Sequence, residues 1–162
     1  MVILGIDGSL RCTGWAVLEG TRTAARAKAW GTIPMAANAP HSACLLAIRE
    51  TVDGLLARGR PEAVSMEEGF FAKNARTAMI LGEVRGVVIS CAAAAGVPIF
   101  GYSPRDAKQA VTGWGAAGKE QVGKMVMALF GLRERPPEDA CDALALAYCH
   151  LQSNRLLPPQ AL

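Results

Sequence analysis

The chain has 162 residues, of which 51% are apolar and 19% charged, with a formal net charge of +3. That length accommodates one domain with a substantial core, excludes a second full one, and leads us to read 1–162 as a single domain. The mild basic excess is compatible with a polyanionic partner without specifying one.

Residues 2–6, VILGI, form a short apolar run that ends at Asp7-Gly8-Ser9, the pattern of a buried strand delivering its last residue to a turn. Residues 12–18 read as a second strand paired with the first as a hairpin, and 27–33 as a third, followed by a loop between Pro34 and Pro40. Leu45, Leu46, Ile48, Val52, Leu55 and Leu56 recur with helical spacing over 42–57, and Gly59 stops that helix. Residues 63–66 are a strand running into Glu67-Glu68. A long apolar helix is expected over 75–95, then a strand over 97–102. After Pro104 come helices punctuated by Gly113-Trp114-Gly115, Gly131 and Pro136-Pro137. The order predicts an α/β fold: a five-stranded mixed sheet, three antiparallel strands then two parallel ones, flanked by helices.

Five cysteines, Cys12, Cys44, Cys91, Cys141 and Cys149, are scattered without a C-x-x-C pair, which argues for reduced thiols rather than a disulfide framework or a zinc knuckle. The N-terminus meets Asp7 too early for a signal peptide. No uninterrupted apolar run reaches the roughly 18 residues of a membrane span. A cytoplasmic protein without a membrane partner is the expectation.

Four acids fall where such a sheet would gather them. Asp7 ends the first strand, Glu67 ends the fourth, and Asp139 and Asp142 lie i, i+3 on one helix face. Each alone has an ordinary explanation, since acids near a helix N-terminus are favoured by the macrodipole. Together they would repel by roughly 1–4 kcal/mol per pair at about 4 Å, a cost that divalent cations remove. Oxygen-only donors favour Mg²⁺ or Mn²⁺, and two such ions can promote in-line phosphodiester displacement. Glu67 is preferred to Glu68 because successive strand side chains face opposite ways. Glu138 reads as an exposed first-turn acid, and Cys141 as a small inward or sideways residue without a catalytic role.

The stretches ILGIDGSLRCTGWAVLE, SMEEGFFAKNARTAMILGEVRGVV, VPIFGYSPRDAKQAVTGWGAAGKEQVGKMV and PPEDACDALALAYCH together resemble the bacterial RuvC Holliday-junction resolvases. The resemblance covers nearly the whole chain. It implies an RNase H-like fold, a homodimer, and symmetric Mg²⁺-dependent cutting of four-way DNA junctions in recombination and repair. Mn²⁺ would substitute, with two ions per site, and a branch-migration motor is a further partner the resemblance suggests. By motif position, Asp7, Glu67, Asp139 and Asp142 would be the catalytic metal ligands and Lys119 a further catalytic residue. Phe70, Lys73, Arg76, Lys108 and Lys119 would contact DNA, with Phe70 at a base-contacting aromatic position and Phe71 able to exchange roles with it. The long helix over 75–95 should contribute to the dimer interface.

The chain departs from the family after the first strand, where Asp7-Gly8-Ser9-Leu10 replaces the common Asp-Pro-Gly-Ser, so proline no longer fixes the turn. Two rival readings remain, beside a third that keeps the fold but changes the substrate to flaps or replication forks. One is an actin-like phosphotransferase half-domain, suggested by GIDGS followed by Thr13-Gly14. The other is a non-catalytic junction-binding module.

Overall fold

The computed structural model describes residues 1–68 and 74–153. Three strands open it: β1 (Val2–Asp7), β2 (Cys12–Gly20) and β3 (Ala25–Pro34). Helix α1 (His41–Gly59), strand β4 (Ala63–Glu67), helix α2 (Ala75–Ala94) and strand β5 (Ile99–Tyr102) follow. Helices α3 (Pro104–Thr112), α4 (Lys119–Phe130) and α5 (Glu138–Gln152) complete the described chain. The sheet order is β3-β2-β1-β4-β5, with β1, β2 and β3 antiparallel and β4 and β5 parallel to β1. The expected mixed sheet is what forms.

Strand periodicity divides the core in two. On β1, Ile3 joins the cluster formed with α3, α4 and α5, while Leu4 and Ile6 join the one formed with α1 and α2. The same alternation on β4 sends Val64 and Met66 toward α1 and α2, and turns Ser65 to α5, where its hydroxyl donates to the carbonyl of Leu146 at 2.7 Å. Continuing each strand by its period of two puts Asp7 and Glu67 on the α5 side.

Helix α5 lies unusually close to the sheet because glycines face it. A Cβ on Gly5 would stand 2.1 Å from the carbonyl oxygen of Ala143, and one on Gly14 would stand 2.0 Å from that of Asp139. No side chain fits at either position without moving the helix backbone. At the far end, the Tyr102 hydroxyl meets Nδ1 of His150 at 2.6 Å and ties β5 to the end of α5.

The strand expected over 97–102 begins at Ile99 instead. The chain leaves α2 through Gly96, at φ 68°, and Pro98 has no N–H to give the ladder, although its carbonyl accepts from Val64 N at 2.9 Å. The β1–β2 turn lacks the family's proline, and hydrogen bonds hold it. Ser9 Oγ donates to the Cys12 carbonyl at 2.8 Å and accepts from its N–H at 3.1 Å, and Thr13 Oγ1 donates to the Ser9 carbonyl at 2.6 Å. All five cysteines are free thiols.

Among the described residues, α2 is long and apolar enough to cross a membrane by length and composition, although only 22% of its most apolar window is buried. It is not an uninterrupted apolar run, because Arg76, Glu83 and Arg85 break it while the average stays apolar. Only Val84, Val88, Cys91 and Ala92 of this helix are buried, and Met79 is 67% exposed.

Gly5→Ala and Gly14→Ala should each destabilise the protein by about 1–3 kcal/mol in urea unfolding, since the added methyl meets helix backbone rather than a side chain that can rotate away.

Candidate active site

Asp7 and Glu67 are the last residues of adjacent parallel strands, each one position beyond the paired Ile6 and Met66. Asp139 and Asp142 stand in the first two turns of α5, whose close seating on Gly14 brings the Asp139 backbone against β2. Asp7 feels the charge of the other three, and Asp142 is coupled to Glu67 and Asp139 as well. Burial raises the Asp7 carboxyl to about 7, and Asp142, Glu67 and Asp139, in that order, push it the same way. Burial also raises Glu67 and Asp142, and Asp142 adds to the shift on Glu67. This is the signature of crowded, partly dehydrated carboxylates. The carboxylates share a neighbourhood without closing into a cage: among the described residues, no three His, Cys, Asp or Glu side chains are arranged to hold a metal ion.

Three cations from three different elements offset part of the charge. Lys119, the first residue of α4, acts on Asp7 and Asp142. Lys108, half-buried on α3, acts on Glu67 and Asp142. Arg85 on α2 lowers Glu67 and donates a hydrogen bond to its main-chain carbonyl. The sequence reading missed Arg85, although an arginine set in an apolar helix was a visible signal. It also missed Cys12, which faces Asp139 from β2 and whose thiol that carboxylate, with burial, pushes up to about 11.

The structure separates Glu67 from Glu68. Glu67 points into the acid pocket, and Glu68 is exposed beyond the strand, its N–H donating to the Tyr102 carbonyl at 2.9 Å. Glu138 is exposed, as expected, but its carboxylate receives the Lys119 ammonium. Arg76 is exposed in the first turn of α2. Phe70, Phe71 and Lys73 lie outside the described residues.

The Asp7 shift has a stability consequence whose sign follows from linkage. The folded carboxyl titrates near 7 and the unfolded one near 3.8, so the folded chain holds the extra proton between those values. Stability from this group is therefore complete below about pH 4 and is lost as pH rises toward 7, by at most about 4 kcal/mol. In EDTA, melting temperature should fall from pH 5 to pH 7.5, and Asp7→Asn should flatten that slope and raise stability at pH 7.5.

Comparison with known proteins accords with this geometry. Residues 3–150 match the family model described as crossover junction endodeoxyribonuclease RuvC. The crossover junction endodeoxyribonuclease RuvC of Syntrophomonas wolfei subsp. wolfei is 41% identical over 157 residues, covering 96% of this chain and 91% of its own length. That of Moorella thermoacetica is 42% identical over 151 residues, covering 93% and 90%. The solved structure of Thermus thermophilus RuvC in complex with a Holliday junction substrate superposes with a TM-score of 0.92 at 35% identity, over 100% of this chain and 99% of that one. A yeast mitochondrial Holliday junction resolvase shares the fold at 13% identity and a TM-score of 0.67, over 93% of this chain and 77% of its own. With a near-full-length family match, close relatives and a common RNase H-like fold, this chain belongs to the RuvC family of crossover junction endodeoxyribonucleases.

Proposed function

We propose that this protein is a structure-selective endonuclease that resolves four-way DNA junctions by divalent-metal-dependent phosphodiester hydrolysis in recombination and repair. The observation that carries the proposal is the gathering of Asp7, Glu67, Asp139 and Asp142 at one end of the sheet, in a family whose relatives are named for that activity.

The residues present fit a hard divalent ion. The donors are all carboxylate oxygens, and burial followed by mutual repulsion raises Asp7, Glu67 and Asp142, which Lys119, Lys108 and Arg85 only partly offset. Asp7 and Glu67 would hold the metal from the strand ends, and Asp139 and Asp142 from α5. Two Mg²⁺ ions, or Mn²⁺ in their place, would supply activation of the attacking water and charge stabilisation at the leaving oxygen. The protein's own part is positioning and charge. Lys119 and Lys108 flank the acids and would draw the scissile phosphate against them. Arg85 fixes the end of β4 through the Glu67 carbonyl, so that carboxylate leaves the strand from a set point. Phe70 would stack on a base opened at the junction, with Lys73 and Arg76 on neighbouring phosphates.

Symmetric cutting needs two sites related by a two-fold axis, and α2 offers the surface for it. Its outward residues include Met79, Gly82, Gly86 and Ser90, with Arg76 and Glu83 as exposed charges beside them. We assign this face to a homodimer interface.

A synthetic mobile junction tests the reading. Changing any of the four acids to its amide should leave junction binding within a few-fold and reduce Mg²⁺-dependent cutting by two or more orders of magnitude. Near-normal cutting by Asp7→Asn refutes the assignment, and binding without cutting in Mg²⁺ or Mn²⁺ favours a non-catalytic module. Binding should weaken steeply with salt as phosphate contacts release counterions. Sedimentation should give a dimer at micromolar concentration, shifted toward monomer by Met79→Glu; a monomer alone refutes the α2 assignment.

A further inference from the structure

Lys119 occupies an electrostatically awkward place. It is the first residue of α4, where the helix dipole presents partial positive charge and disfavours a cation, and the N-cap, Gly118, has no side chain with which to cap the helix. Its side chain is 68% exposed, and a long lysine in water has many rotamers available. Yet its charge reaches Asp7, Asp139 and Asp142. Something else must hold it there.

We infer that Arg135, on the segment that leads into α5, and Glu138, the first residue of α5, are positioning residues for Lys119. The inference rests on the reading of Lys119 as a charge-compensating group in the nuclease site. Arg135 holds the backbone end: Nη2 donates to the Lys119 carbonyl at 3.1 Å, and Nη1 reaches Glu120 Oε2 at 3.3 Å. Glu138 holds the other end, its carboxylate receiving the Lys119 ammonium. Glu138 immediately precedes Asp139, so the lysine is located from the same helix that carries two of the acids.

The segment is itself anchored. Cys141 Sγ donates to the Pro136 carbonyl at 3.5 Å, and Cys141 N donates to that of Pro137 at 2.9 Å. On the α4 side, the guanidinium fills the space beside Gly123, where a Cβ would stand 2.4 Å from Arg135 Nε and 2.7 Å from Cζ. A glycine in the middle of a helix weakens it, and here the missing side chain is what admits the arginine. The Lys119–Glu138 pair is exposed on both sides and therefore exchangeable. An arriving phosphate can take the ammonium from Glu138 while Arg135 keeps the root of the side chain in place.

A double-mutant cycle on the full-length protein separates positioning from general stability. Arg135→Ala and Glu138→Gln are made with Lys119 present and again with Lys119→Ala, and single-turnover junction cutting in Mg²⁺ is compared with junction binding in Ca²⁺. With Lys119 present, each change should slow cutting by roughly ten-fold, and Arg135→Ala should leave binding within about two-fold. In the Lys119→Ala background neither should slow cutting further. Acetic anhydride labelling of the DNA-free protein, read by mass spectrometry, should show Lys119 reacting about twice as fast or more in both variants, because the ammonium has lost its hold. Equal slowing in both backgrounds, or unchanged cutting with unchanged labelling, overturns the inference. If Arg135→Ala fails to fold by thermal melting, Gly123→Ala, which displaces the guanidinium and leaves Arg135 in the chain, is read in the same way. A wild-type protein that cuts no junction refutes the nuclease reading, whereas the labelling still decides whether the clamp exists.

Discussion

The close seating of α5 on the sheet is the constraint from which the rest of the molecule follows. Two glycines, Gly5 on β1 and Gly14 on β2, face the backbone carbonyls of Ala143 and Asp139 at distances that leave no room for a methyl group. Ser65 adds a buried hydrogen bond from β4 to Leu146 further along the helix. The glycine contacts are with helix backbone, which has no rotamers to absorb a misfit. The first turns of α5 are thereby set against the ends of β1 and β4, and the two aspartates they carry are brought to Asp7 and Glu67.

That placement gathers charge that the fold does not neutralise. Carboxylates on β1, β4 and α5 meet cations on α2, α3 and α4, so six elements contribute a charge at this end of the sheet. The cations are too few and too peripheral to return Asp7 to ordinary behaviour. Such an imbalance is unfavourable in the isolated chain and suits a site whose ligands are divalent cations and a phosphodiester. The opposite face of the sheet has a different task. There α1 and α2 close the second core, and α2 leaves an apolar surface to the outside. Arg85 links the two faces by reaching from α2 to the Glu67 carbonyl.

Much of this was legible in advance because it depends on local periodicity. Strand alternation separates Glu67 from Glu68, and i, i+3 spacing puts Asp139 and Asp142 on one helical face, whatever lies around them. The element order and the four motif stretches were equally readable, being properties of contiguous sequence. The start of β5 and the character of α2 were less so. The first turned on how Pro98 enters the ladder, and the second on an average that isolated charges interrupt without changing.

The sequence by itself determined the strand and helix order, the parity of the acids and the family to which the chain belongs. Tertiary structure alone decided that Gly5 and Gly14 are the seats of α5, that Cys12 faces Asp139, and that Arg85 and Arg135 grip backbone carbonyls rather than solvent. The physical reason is reach. Periodicity governs neighbours within a few residues, whereas an arginine's partner or the space a glycine leaves open is defined by atoms that only the packed chain brings within a few ångströms.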